Sequence, residues 1–312
     1  MDFITISYNQ EAYIIQHLES VKYQIQHYAG DREVSFRLFD DNSADNTVLL
    51  ARRWLNENSS LFCSVEIVVN NKNLGLNQNF LQAVRSAGNR PFKCLAADDI
   101  YNWRSVFDAA ESPSVLLTPV IRFSDNGAPC FSPSVEYIFF ACQKANTRRL
   151  IESRLAYSAS IETPGVFFPS GFFSCQSLIT EVNKYRFIED LPIWKWLFFS
   201  DEGKKHLVSS ATNPLILYRV GSGITSKHNK SHSSFDNERV IAESELHIKR
   251  WSRPLLLNPG RVINLLSWRV YNLVVRRFLS SSRELHSFFR DELDKAESHL
   301  CLIRSRAKEF ED

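Results

Sequence analysis

Short runs rich in β-branched and aromatic residues alternate with helical patterns over the first 125 residues of the chain. The runs are FITISY, VSFRLF, CSVEIVV and FKCLA, and each precedes a segment with apolar residues at helical spacing. Strands joined by helices of this length are typical of an α/β fold with a doubly wound, mostly parallel sheet. Ligands of such sheets bind beyond the carboxyl ends of the strands. The polar residues that follow these strands are therefore the first candidates for a functional site.

Adjacent acidic residues follow two of the predicted strands. Asp40 and Asp41 follow VSFRLF, and Asp98 and Asp99 follow FKCLAA. Aspartate is common in turns and helix caps, so either pair taken alone is explained by a capped turn. Two acidic strand ends on one edge of one sheet instead favour a shared cleft.

The composition and charge of the chain limit the classes of protein to which it can belong. The 312-residue chain carries a net charge of +2, so we expect no nucleic-acid partner. Its six cysteines include no CxxC pair, which favours reduced thiols over a disulfide framework or a zinc site. The start MDFITISYNQ does not resemble a signal peptide, and there is no run of 18 apolar residues for a transmembrane helix. These features together predict a cytoplasmic protein.

Five motifs carry a resemblance to a known family. ITISYNQEAYI, FDDNSADNT, NNKNLGLNQNF, LAADDIY and FIEDLPIW occur in the order and spacing of inverting family 2 glycosyltransferases of the GT-A fold. The chain resembles this family over residues 3–226. The resemblance implies a GT-A-type sheet in a catalytic domain at 1–233, with a nucleotide-binding half at 1–125 and an acceptor half at 126–233. A helical extension is expected at 234–312.

The resemblance implies sugar transfer from a UDP-sugar to a saccharide acceptor, with a polyprenyl-diphosphate-linked saccharide as one option. The implied pathway is assembly of bacterial surface polysaccharide of the O-antigen or capsule type. A diphosphate would be repelled by a carboxylate-rich cleft unless a divalent cation intervened, and Mn2+ or Mg2+ binds phosphates through only one or two carboxylates. By resemblance Asp99 holds this metal, Asp98 faces the ribose, and Asp41 accepts a hydrogen bond from uracil.

Further nucleotide-binding candidates follow from the same resemblance, and each has a structural alternative. Tyr8 could cover the base or be a half-buried aromatic residue, and Glu11 could bind the nucleoside or cap the first helix. Gly75 would allow the backbone to approach the ligand closely. The remaining candidates are Ser7, Asn73 and Asn79, of which the two asparagines could instead brace the loop.

The acceptor side centres on FIEDLPIW. Inverting transfer needs a base for the acceptor hydroxyl, and a carboxylate beside an apolar wall can have its pKa raised to a useful value. Family spacing favours Asp190 as this base, with Glu189 as the second choice. The other acceptor or diphosphate candidates are Trp194 as a sugar platform, Ser170 and Gly171 as pocket residues, and Arg219 as a phosphate contact. Val220 or Gly221 stands where the family often has histidine, so a third metal ligand stays open.

The C-terminal segment GRVINLLSWRVYNLVVRRFL predicts an amphipathic helix with several arginines on one side. Such a helix can lie on an anionic membrane surface, which would place the protein peripherally at the inner face of the cell membrane. Packing on the catalytic domain is the alternative. The last segment predicts a charged helix with a narrow apolar seam, which could pair with the preceding helix or with a second copy in a homodimer.

Two other functions are compatible with an α/β sheet of this kind. Nucleotidyl transfer would need a glycine-rich phosphate loop after the first strand, and SYNQEAYI contains no glycine. A non-catalytic carbohydrate- or membrane-binding module that retains the sheet is the alternative from another class. The presence of Asp41, Asp99 and Asp190 argues against that alternative.

Overall fold

Four parallel strands form the central sheet of the protein in this computed structural model, which describes residues 1–131, 148, 161–222, 232–250 and 283–312. The strand order is β3-β2-β1-β4, and all three pairings are parallel. This confirms the predicted α/β class with a parallel sheet. The strands are β1 (Asp2–Ser7), β2 (Ser35–Asp40), β3 (Ser64–Val69) and β4 (Phe92–Ala96), and the connecting helices are α1 (Ile14–Tyr28), α2 (Thr47–Glu57) and α3 (Leu76–Ser86).

Both faces of β1, β2 and β4 are covered, since successive side chains of a strand point to opposite sides, whereas the edge strand β3 is largely exposed. Phe3 and Phe36 pack with α1 and α2 in one core cluster. Ile4 and Phe39 pack with α3 in another. The apolar strand pattern therefore fits a sheet buried between two helical layers, as expected for a doubly wound fold.

Two small mixed sheets extend the core. One has the order β5-β10-β7 and the other β8-β6-β9. β10 runs antiparallel to β5, with Leu217 opposite Ile100, so the end of β10 lies beside the residues that precede β5. The strands are β5 (Ile100–Tyr101), β6 (Val115–Leu117), β7 (Val120–Phe123), β8 (Val166–Phe167), β9 (Val208–Ser210) and β10 (Ile216–Arg219).

Three short helices lie between these strands: α4 (Phe107–Ala110), α5 (Gln176–Val182) and α6 (Asp190–Phe199). The aromatic stretch that follows the acidic pair forms α6, and it has no exposed face. Every residue from Leu191 to Phe198 is buried. A helix that is apolar on all sides belongs in the core, and Trp194 and Trp196 are part of the same core cluster as α3.

Two long helices end the described chain, α7 (His232–Arg250) and α8 (Arg283–Glu311). The seam of α8 is buried against α1 and the β5-β10-β7 sheet of the same chain. An ion pair of Arg104 with Glu292 and a hydrogen bond between His299 and the Tyr101 carbonyl secure the contact. The suggestion that this seam pairs with a second copy is therefore wrong. The seam consists of Ala296, Leu300, Ile303 and Ala307.

The basic amphipathic helix predicted within residues 260–279 lies outside the described residues, so it stays a prediction. Among the described helices, none combines the length and the apolar character that crossing a lipid bilayer requires.

We predict that Ile303→Ala lowers the free energy of unfolding by about 2–4 kcal/mol, because the side chain is fully buried and its loss leaves a cavity. Leu302→Ala is the control, since its side chain is 39% exposed, and it should cost less than about 1 kcal/mol. Urea denaturation of both variants tests this. Equal losses would contradict the packing of α8 described above.

Candidate active site

The carboxyl ends of β1, β2 and β4 meet at one edge of the central sheet, as parallel strands require. Asp40 at the end of β2 is fully buried and braces this edge. It accepts hydrogen bonds from the Ser7 hydroxyl at 2.7 Å and from the Ser43 amide at 2.8 Å. Ser7 is itself buried, so in this structure it supports Asp40 and offers little surface to a ligand.

Asp41 organises the loop that precedes α3, which we call the donor loop (residues 70–76). Its carboxylate accepts the amides of Leu74 at 2.7 Å and Gly75 at 2.9 Å, and the Asn70 side chain at 3.0 Å. Asn79 accepts from Asn70 and donates to the Phe39 carbonyl at 3.0 Å. Asn79 therefore braces the loop, and Asp41 ties the end of β2 to it.

Gly75 allows a close approach, but the partner is protein. Its φ is +90°, and a Cβ added there would lie 2.5 Å from Cγ of Arg186. The Arg186 guanidinium also donates to Oδ1 of Asn73 at 3.0 Å. The donor loop is thus fastened to the segment that precedes α6.

Two other predicted nucleotide contacts lie in the loop after β1. Tyr8 is 47% exposed, so part of its surface is accessible to a ligand. Glu11 accepts the Asn46 amide at 2.9 Å, and its own amide donates to Asp45 at 3.0 Å. Glu11 therefore joins the loops that follow β1 and β2.

The acidic pair lies in the turn between β4 and β5. Asp98 is partly buried and accepts the Ser222 hydroxyl at 2.7 Å. Asp99 is 1% exposed, and its carboxylate accepts the amide of Arg219 at 2.9 Å. Burial raises the pKa of both carboxyls, and the charge of Asp98 raises that of Asp99 further.

Buried His17 on α1 holds the carbonyl of Asp99. Its Nδ1 lies 2.8 Å from that oxygen, so Nδ1 carries the proton and Nε2 accepts from Thr5 at 2.8 Å. Burial lowers the pKa of His17 to about 4, which keeps the ring neutral.

Arg219 does not have the surface that a diphosphate contact requires, so that prediction disagrees with the structure. Its side chain is 1% exposed and lies between the rings of Tyr13 and Phe123. The guanidinium pairs with Asp125 and donates to the Asp98 carbonyl at 2.9 Å. Arg219 therefore fixes the acidic turn from behind.

The carboxylates predicted as base candidates lie at the start of α6. Asp190 is the first helical residue, and its Oδ1 accepts the Leu191 amide at 2.7 Å. Burial raises the pKa of Glu189 from its ordinary value of 4.5 to about 7, and the neighbouring charge of Asp190 adds to the shift.

Tyr218 is near enough to both acidic pairs for their charges to act on it, and it was not singled out from the sequence. Burial raises the pKa of its phenol, and the charges of Asp99, Asp98 and Glu189 raise it further. The phenol therefore lies within electrostatic reach of all three carboxylates. Ser222 was missed as well, although both residues belong to the YRVGS segment that contains Arg219.

Three predicted acceptor residues lie elsewhere. Trp194 is fully buried and donates its indole N–H to the Ile161 carbonyl at 3.1 Å, so it cannot stack on a sugar in this structure. The Gly171 amide donates to the carbonyl of Gly88 at 3.2 Å. Gly88 precedes β4, which places Ser170 and Gly171 near the amino edge of the sheet, away from the acidic pair.

Asp98 and Asp99 offer carboxylate oxygens of the kind that Mg2+ and Mn2+ take as ligands, with Asp98 partly exposed and Asp99 1% exposed. No described lysine or arginine lies within ion-pair distance of either carboxylate, although the charge of Arg219 lowers the pKa of both and thereby offsets part of the effect of burial. Within the described ranges no cluster of three or more His, Cys, Asp or Glu side chains is suited to a metal. Mg2+ and Mn2+ sites that bind substrate phosphates need only one or two carboxylates.

The raised pKa of Glu189 predicts a pH-dependent stability. Between about pH 4.5 and 7 the native carboxyl holds a proton that the unfolded chain has released, so the free energy of unfolding falls as pH rises through this window. We expect Glu189→Gln to remove about 1–3 kcal/mol of that fall. Urea titrations at pH 5 and pH 8 measure it, with Glu57→Gln on the exposed side of α2 as control. An unchanged fall in the Glu189 variant would refute the assignment.

Residues 2–130 match the sequence model of the family described as Glycosyl transferase family 2. No curated protein is similar enough in sequence to match the chain. The solved structure of S. aureus TarS 1-349 in complex with UDP-GlcNAc has 15% identity and a TM-score of 0.48, covering 97% of this chain and 91% of that one.

A second solved structure is the mannosyltransferase PcManGT from Pyrobaculum calidifontis in complex with GDP-Man and Mn2+. It has 14% identity and a TM-score of 0.46, covering 95% of this chain and 85% of that one. Sequence identities of 14–15% with TM-scores below 0.5 are too low to indicate a function. The family match is the informative finding, and it covers β1 to β7 with both acidic strand ends, so this part of the chain is similar to a family 2 glycosyl transferase.

Proposed function

We propose that the protein is an inverting glycosyltransferase that moves a sugar from a UDP-sugar to a saccharide acceptor. One observation carries the proposal. The Asp41-bound donor loop and the Asp98–Asp99 turn follow neighbouring strand ends of a parallel sheet whose strands match a glycosyl transferase family, and Tyr218 lies within electrostatic reach of Asp98, Asp99 and Glu189.

On the donor side, Tyr8 covers the base and Asp98 faces the ribose and diphosphate. Asp41 positions the donor loop and, through a remaining lone pair, accepts from uracil. Asp99 would hold Mn2+ or Mg2+, with the Asp98 carboxylate next to it on the ribose side. When bound, this cation balances the charge of the diphosphate and stabilises it as a leaving group.

On the acceptor side, Asp190 is the base. The acceptor oxygen attacks the anomeric carbon from the face opposite the diphosphate and passes its proton to Asp190. The bond from the anomeric carbon to the diphosphate oxygen breaks, and its electron pair leaves with UDP, so the configuration inverts. Asp190 is the first residue of α6, where the helix N-terminus stabilises its carboxylate. Glu189, whose pKa burial raises to about 7, is the second candidate for the base.

We also propose an acceptor in bacterial surface-polysaccharide assembly, with a lipid-linked saccharide as one candidate. The basic and aromatic composition of residues 260–279 supports a peripheral site of action on the inner face of the cell membrane.

UDP binding tests the proposal. By calorimetry, we expect Mn2+ to tighten UDP binding by at least about tenfold, or about 1.4 kcal/mol. Asp98→Asn and Asp99→Asn should each remove most of this gain and leave metal-free binding nearly unchanged. Asp201→Asn, at a fully exposed position, is the control. Absence of UDP binding with and without Mn2+ would overturn the proposal.

The base assignment predicts a separation of chemistry from binding. Asp190→Asn keeps the shape but cannot accept a proton at neutral pH, so transfer should fall by about two to four orders of magnitude. UDP affinity should stay within a few fold. Glu189→Gln should cost much less and should remove the titration near pH 7 from the pH–rate profile. A larger loss in Glu189→Gln than in Asp190→Asn would exchange the two roles, and UDP binding without any turnover would favour the non-catalytic module.

A further inference from the structure

The segment from Tyr185 to Ile188 is held by one carboxylate on α7. Glu238 accepts the amide of Arg186 at 3.0 and 3.1 Å and the amide of Phe187 at 2.8 Å. Two consecutive backbone donors thus converge on a charged acceptor, and hydrogen bonds of this kind are stronger than neutral ones. Around them, Tyr185, Ile188, Leu191 and Ala242 form a small core cluster with Phe235 packed against it.

The same segment fastens the donor loop. The carbonyl of Arg186 accepts the Asn77 amide at 3.1 Å, and its guanidinium donates to Oδ1 of Asn73 at 3.0 Å. The bare Cα of Gly75 leaves room for the Arg186 side chain, since an added Cβ would lie 2.5 Å from Cγ. The backbone position of Arg186 therefore sets the position of the loop that Asp41 binds from the other side.

The segment also leads directly into the proposed base. Asn77 donates to the Ile188 carbonyl at 2.7 Å and to the Val182 carbonyl at 3.0 Å. Glu189 and Asp190 are the next two residues. One short stretch of backbone thus carries the carboxylate pair at its end and the donor loop on its side.

We propose that Glu238 is a positioning residue that sets the donor loop and the Glu189–Asp190 pair together. The proposal rests on the function proposed above. Glu238 acts only through the backbone of residues 186 and 187. Its loss frees two amide donors and lets the segment shift, so donor affinity and transfer rate should change together.

A purely structural role in docking α7 is the competing explanation, and the chain offers a control for it. Glu245, on the same helix, pairs with buried Lys195 of α6. Lys195 keeps a second partner in Glu181. Glu245 also bonds the Tyr185 side chain, and glutamine retains an oxygen that can accept from it. Glu245→Gln therefore loosens α7 without changing the acceptor of the amides of residues 186 and 187.

The test compares Glu238→Ala, Glu238→Gln and Glu245→Gln in the full chain. Hydrogen–deuterium exchange should rise in Glu238→Ala at residues 185–190 and also at residues 70–77, and it should stay near wild type in the other two variants. Glu238→Gln retains an acceptor oxygen and serves as the conservative rescue.

Calorimetry with UDP and transfer kinetics complete the test. In Glu238→Ala we expect UDP affinity and kcat each to fall by about tenfold, as for the loss of charged hydrogen bonds. Faster exchange confined to residues 185–190, or equal effects in Glu245→Gln, would overturn the proposal. If the wild type binds no UDP, the proposed function fails, while the exchange pattern still decides whether Glu238 couples the two segments.

Discussion

Two carboxylates on successive residues lie at the end of β4, largely shielded from water, and the site is arranged around this unfavourable placement. Burial and mutual repulsion raise the pKa of Asp99, and burial raises that of Asp98. The turn is nevertheless held by His17 on α1 and by Arg219 and Ser222 at the end of β10. These bonds reach backbone atoms or come from uncharged donor groups, and the nearby guanidinium of Arg219 offsets only part of the effect of burial on the two pKa values. A cation bound to a diphosphate would favour the ionised carboxylates and offset the remaining cost of burying them.

The geometry of the acidic turn therefore depends on the position of β10. It pairs with β5 and β7, and its other support comes from the distant α8. Leu217 packs with Ile303, and Arg304 donates to the carbonyl of Ser124 just after β7. Because the backbone of Arg219 bonds to Asp99, a shift of α8 would reach the acidic turn through a single strand. This gives the Ile303→Ala substitution a functional meaning as well as a structural one.

Local patterns predicted the central sheet and its acidic edge well. The alternation of apolar residues that identifies β1 to β4 and α1 to α3 can be recognised from residues close together in the sequence. The parallel pairing of the strands then brings Asp41 and Asp98 to one edge of the sheet. The incorrect predictions concern the direction of side chains on elements that are separated from the central sheet by long stretches of sequence. Trp194 was predicted as a sugar platform, but α6 is enclosed by elements far away in the sequence. Adjacent residues of β10 face opposite sides of the strand. Arg219, the predicted ligand contact, is therefore on one side, and Tyr218 is on the other.

The family match ends at residue 130, yet the geometry of the matched part depends on residues beyond it. Asp99 is bonded by Arg219, and Asn77 is bonded to Ile188 and Arg186. The donor loop lies between Asp41 on one side and the 185–188 segment on the other, and that segment is held in turn by Glu238 on α7. Strand ends bring the acids to one edge, but a binding surface also needs fixed distances between its groups. In this chain those distances are set by hydrogen bonds that join the matched sheet to the segments that follow it.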